Sequence, residues 1–197
     1  METPHPERRA TDPPVLTALR ELKETQPELA PAVDLQIELA QIMRKVSARA
    51  PLPALAPQDA RQARLTAGSR VLSFQDFRFE WSDVRLAQRE VCRALNDAGA
   101  LTPDDTTTIS ALVRGETPAL EATLAKWFNG AGTGAHGGAP PISDGLQEVF
   151  DTAMRPFMAR AASAALTGLD LTAWQRPSCP ACGSEADFAV IAKVFDG

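Results

Sequence analysis

Cys179-Pro180-Ala181-Cys182-Gly183 is the stretch that most limits what this chain can become. Two thiols three positions apart, with proline between them and glycine after, make a metal knuckle. Both sulfurs can point at one ion while backbone N–H groups of the turn support the thiolates. Gly183 supplies the positive φ that folds the chain back without a Cβ clash. The apolar run 188–195 then reads as a strand, and Asp196-Gly197 as a tight hairpin turn. A closed structural site takes four ligands. Cys92 lies far upstream in a helical pattern, and His5 and His136 lie in polar or glycine-rich stretches. The knuckle is therefore read as half of a metal ribbon. Its remaining ligands are expected beyond Gly197 or on another chain, a homodimer being one such arrangement.

The rest of the chain is patterned for helices. Leu16, Leu19 and Leu22 mark a first helix over 14–26. Leu35, Leu39, Ile42, Met43 and Val46 mark a second over 31–48. Residues 50–68 carry Pro51, Pro53 and Pro57 and read as a long connection, unusual inside a compact domain. Residues 69–80, with Phe74, Phe77 and Phe79, read as a loop with one helical turn. Val84, Ala87, Val91 and Ala94 or Leu95 repeat at helical spacing over 81–98, with Cys92 as a small buried hydrophobe among them.

Thr102-Pro103-Asp104-Asp105 joins a cap, a first-turn proline and two acids, and starts a helix over 103–114. Thr117-Pro118 starts another, with Leu120, Leu124, Trp127 and Phe128 on one face and Gly130 closing it. Gly132, Gly134 and Gly137 have the spacing of a dinucleotide fingerprint. They follow a helix and precede Pro140-Pro141, so they read as a loop. Ser143 caps a last helix over 144–166, with Leu146, Val149, Phe150, Ala153, Phe157, Ala161 and Ala164 inward and Pro156 kinking it.

The fold class expected is mainly α. Residues 1–13 form a disordered lead-in, 14–168 a helical domain and 169–197 the partial metal ribbon. With 197 residues, 44% of them hydrophobic, the chain can bury a core without disulfide staples. Its net charge of −5 lacks the basic footprint of a nucleic-acid binder. Three cysteines make no secreted disulfide framework, and the polar N-terminus has no apolar signal core. No apolar run is long enough for membrane insertion. The expected compartment is the cytoplasm.

The tail from Leu171 to Ser184, with Trp174-Gln175-Arg176-Pro177-Ser178 leading into the knuckle, resembles the formate dehydrogenase accessory protein family of the FdhE type. The similarity extends back through Met154-Arg155-Pro156-Phe157 and more loosely to 35–46. The resemblance implies a helical domain followed by rubredoxin-like modules built from Cys-x-x-Cys pairs. Cys179 and Cys182 match the first pair, and iron or zinc would be the cofactor of the full-length form. It also implies a cytoplasmic maturation factor or chaperone, not an enzyme, that contacts the formate dehydrogenase catalytic subunit. Two other readings stand beside it. One is a thiol–disulfide oxidoreductase using Cys179 and Cys182. The other is a zinc-ribbon interaction module for a different partner.

Overall fold

The computed structural model describes residues 13–130 and 143–184. Over them the chain forms seven α-helices and three short 3-10 turns, with no strand. The helices are α1 (Pro14–Thr25), α2 (Ala30–Ser47), α3 (Gln58–Thr66), α4 (Trp81–Asp97), α5 (Pro103–Arg114), α6 (Thr117–Gly130) and α7 (Asp144–Leu166). The expectations for 1–12, the glycine-rich segment 131–142 and the strand over 188–195 lie outside the described residues. No described helix is long and apolar enough to cross a membrane.

Helix α4 is central and packs against α2, α5 and α7. Its apolar face repeats at three- and four-residue steps through Val84, Ala87, Val91 and Leu95, all buried. The stripes on α2, α6 and α7 meet it, so Ile42, Leu124, Val149, Phe150 and Phe157 join one core. Apolar burial of this kind supplies roughly 25 cal/mol per Å². On α7 the inward alanine of the last turn is Ala165 rather than the expected Ala164, one full turn beyond Ala161. Pro156 sits buried inside α7 without ending it. Its missing N–H leaves the Thr152 carbonyl without its helical donor.

The helix starts behave as their sequences dictate. The Thr102 hydroxyl accepts from the Asp105 N–H (3.1 Å), and the Ser143 hydroxyl accepts from the Leu146 N–H (3.3 Å). One carboxylate then ties both starts together. Asp105 accepts from the Thr102 hydroxyl at 2.6 Å and from the Ser143 hydroxyl at 2.9 Å, and these bonds hold it below the usual carboxylate range. Gly145 permits this junction: a Cβ there would lie 2.5 Å from Asp105 Cγ.

A larger departure from expectation concerns the first long connection. The connection over 50–68 contains α3. Its inward face carries a single large apolar residue, Leu65, and an arginine, Arg61. Arginine is polar, so this inward face carries no apolar periodicity. Arg61 is only 9% exposed; its guanidinium donates to the carbonyls of Ala56 (3.1 Å) and Ala165. It thus satisfies an orphan carbonyl at the C-terminal end of α7. Arg85 does the same for α5 through the Val113 carbonyl, and Arg70 for α6 through the Phe128 carbonyl at 2.9 Å.

Gln88, on the inner face of α4, is fully buried, and neither its amide nitrogen nor its oxygen has a protein partner. A buried unsatisfied polar group costs about 1–3 kcal/mol. Gln88→Met keeps the volume and removes the orphan atoms, so it is expected to raise the melting temperature by roughly 2–8 °C. A fall in a thermal melt would mean that a buried water satisfies the amide.

Candidate metal centre

The missed helix α3 and the residues after it build the platform for the knuckle. Gln58 donates its amide to the Gly168 carbonyl at 2.7 Å. Gln62 accepts from the Asp170 N–H at 2.8 Å and donates to the Asp170 carbonyl at 3.2 Å. These bonds hold the chain where it leaves α7. Trp174 then donates its indole N–H to the Ser178 carbonyl at 2.7 Å, closing the run-up against the knuckle.

The knuckle docks by backbone. The N–H groups of Val71 and Leu72 donate to the carbonyls of Pro180 and Ala181, both at 2.9 Å. Ala181 is fully buried and belongs to the same core as the helices. The turn closes with the Gly183 N–H on the Cys179 carbonyl and the Cys179 N–H on the Ser184 carbonyl, both at 2.8 Å. Gly183 has φ +80°, the left-handed conformation that its place after the second cysteine implies. Arg70 pins the far side. Its guanidinium lies 4.5 Å from the centre of the Phe128 ring, donates to Asn129 Oδ1 at 2.6 Å and reaches the Cys182 carbonyl at 3.4 Å. Burial lowers the pKa of Arg70, and the nearby Cys182 opposes that shift. Beneath it, Phe74, Phe77 and Phe128 form a continuous aromatic contact, with ring centres 5.4–6.5 Å apart.

The two thiols shift in opposite directions. The Cys182 side chain hydrogen-bonds Cys179 and pulls its pKa down to about 5 against the opposing effect of burial, with help from the N–H groups of Cys182, Ala181 and Gly183. Cys182 moves the opposite way, raised first by that same bond and then by burial. The pair thus gives up its first proton readily and keeps its second. The Ser184 hydroxyl lies 3.1 Å from Cys182 Sγ. Cys92 is buried in α4, and burial raises its pKa.

These features fit one half of an iron or zinc site. Cys179 and Cys182 are brought together as the spacing predicts, in a turn whose N–H groups favour thiolate. Among the described residues no group of three or more His, Cys, Asp or Glu stands together, so these residues supply two donors. A bound ion would add structural cross-linking at the turn. Comparison with protein-family models, curated proteins and solved structures gives no match. The reading of the knuckle therefore rests on its residues and geometry.

The asymmetry of the pair has a measurable consequence in the metal-free chain. Alkylation of Cys179 by iodoacetamide is expected to be nearly flat from pH 6 to 8, because its thiolate is already formed. In Cys182→Ala the stabilising bond is gone and the rate should instead climb through about pH 8–9, the ordinary thiol range. Mass spectrometry of the labelled peptides separates Cys179 from Cys92. Identical profiles in the two proteins would refute the effect of Cys182 on Cys179.

Proposed function

We propose that the chain is an accessory protein for formate dehydrogenase maturation. Its helical body would contact the catalytic subunit in the cytoplasm, and its knuckle would form part of an iron or zinc module. The observation that carries the reading is the docking of Pro180 and Ala181 onto Val71 and Leu72. It joins a metal-type turn to a helical body, the architecture that the resemblance of the tail implies. The chemistry is that of a binding protein, in which the cysteines order a surface. The test is co-purification with the formate dehydrogenase catalytic subunit from cells grown anaerobically. Recovery of that subunit is expected, and its absence would count against the reading.

The lowered pKa of Cys179 favours a second reading, a thiol–disulfide oxidoreductase. Against it, redox Cys-x-x-Cys pairs open a helix beside a βαβ unit, whereas this pair sits in a turn after the 3-10 turn Leu171–Ala173. Reduction of insulin disulfides by the purified chain at a rate comparable to a dedicated oxidoreductase would reverse the preference. A zinc-ribbon module for another partner shares the metal chemistry and differs only in what co-purifies.

A further inference from the structure

The contacts that hold the knuckle all come from the protein itself. Ala181 is buried in the helical core, and the N–H groups of Val71 and Leu72 bond the carbonyls of Pro180 and Ala181. The Gly183 N–H closes the turn on the Cys179 carbonyl, and the Arg70 guanidinium reaches the Cys182 carbonyl at 3.4 Å. These bonds fall on main-chain atoms of the knuckle and leave both sulfurs out of the docking. The two thiols are free, half-buried and in side-chain contact with each other. Residues three apart across a turn have Cα atoms within roughly 7 Å. That is about the span a disulfide bridges. Cys92 is a different case, a lone thiol only 6% exposed on the inner face of α4.

A dithiol fixed in this way has a second chemistry besides metal binding. One sulfur attacks an oxygen of hydrogen peroxide, the O–O bond breaks, and the departing hydroxide takes up the thiol proton and leaves as water. That sulfur is now a sulfenic acid. The neighbouring thiol attacks it, the S–O bond breaks, and a second water carries off the second proton. Two thiols and one peroxide become one disulfide and two waters. The sulfurs lose two electrons and the peroxide gains them. Proximity decides the outcome, because the sulfenic acid meets its partner in the same turn before another peroxide carries it to sulfinic acid. A dithiol reductant restores the pair by exchange. Metal ligation needs the sulfurs as thiolates, so the disulfide form has no ligand to offer. The body grips the turn through main-chain atoms, and the change is confined to the sulfurs while the helices stay folded.

We propose that Cys179 and Cys182 are a site of reversible oxidation, at which an internal disulfide formed by peroxide closes the knuckle to iron or zinc. The reduced pair is the form that takes metal. The pair acts on its own chain and passes no disulfide to another protein, which separates this device from an oxidoreductase. The loss of metal rests on the metal-module reading of the knuckle, and the disulfide does not.

The test uses the full chain, reduced, stripped of metal by a chelator and freed of both reagents. A small excess of hydrogen peroxide is added, the remaining thiols are alkylated in denaturant, and intact mass and peptide maps are read. The expected product has lost two hydrogens, joins Cys179 to Cys182 and carries one alkyl group, on Cys92. Zinc binding is then measured by competition with a chromophoric chelator. Oxidation is expected to weaken it by at least about tenfold, and reduction followed by removal of the reductant to restore it. Far-UV circular dichroism should be the same in both forms, and a loss of helicity would overturn the proposal, since metal would then be lost by unfolding. Cys92→Ala should oxidise as wild type does, whereas Cys179→Ser should form no internal disulfide. The wild-type peptide map decides alone if either variant loses helicity. Wild type that ends as a sulfinic acid, as a disulfide between chains, or with all three thiols still open to alkylation would overturn the proposal and leave the metal reading standing. A disulfide form that binds zinc as well as the reduced form would do the same. No zinc binding by the reduced chain at excess zinc would overturn the metal reading and the switch together.

Discussion

Arg61→Met is expected to lower the melting temperature by roughly 6–12 °C, corresponding to a loss of about 3 kcal/mol. Arg61 is buried on α3, and its guanidinium serves the carbonyls of Ala56 and Ala165. Methionine keeps much of the aliphatic stem, so packing is largely retained and the loss reports the polar head. Hydrogen bonds from a charged donor contribute about 1.5–3 kcal/mol each, and their removal leaves the Ala56 and Ala165 carbonyls without this donor. Desolvation of the cation offsets part of that gain. Arg61→Lys retains the charge but cannot span both carbonyls, and should fall between the two. Thermal melts by circular dichroism check all three proteins. An unchanged melt in Arg61→Met would show that desolvation cancels the bonds.

Arg61 also marks the limit of what the sequence makes legible. Helices whose buried faces are apolar, such as Leu39-Ile42-Val46 on α2 and Leu120-Leu124-Trp127-Phe128 on α6, declare themselves by spacing. Capped starts do so too, since Thr102 and Ser143 carry their chemistry locally. Helix α3 does not, because its inward positions are Arg61 and Leu65. Their i, i+4 spacing was the available signal, had the arginine stem been counted as core. The same asymmetry holds at the knuckle. The paired cysteines and Gly183 are visible because a tight Cys-x-x-Cys-Gly turn restricts residue type. The platform is not, because Val71 and Leu72 hold the knuckle with backbone N–H groups that any residue except proline would offer. The arginines at the ends of α5, α6 and α7 likewise act on main-chain carbonyls distant in sequence, which no local pattern encodes.

The largest functional effect is expected at the cysteines. Purified without added metal, the 197-residue chain should hold well under one equivalent of zinc or iron. Cys179→Ser and Cys182→Ser should each reduce even that to background. Two thiols supply half of a closed site, and the described residues gather no third donor beside them. A complete thiolate site adds roughly 10–16 kcal/mol to folding in small zinc domains, and half a site falls far short of it. The knuckle does not depend on such a contribution to stay in place. Ala181 is buried in the helical core, two backbone bonds tie the turn to Val71 and Leu72, and Arg70 holds the Cys182 carbonyl. A strong chelator is therefore expected to leave the melting temperature within about 2 °C, the shift that about 0.5–1 kcal/mol produces. Elemental analysis per chain and melts with and without chelator decide the matter together. One full equivalent of metal, with a melt that drops by more than about 10 °C on chelation, would overturn the half-site. The further ligands would then come from residues outside those described, or from a second copy of the chain. The cysteine variants of that complete site would be expected to unfold, where those of a half-site only lose metal.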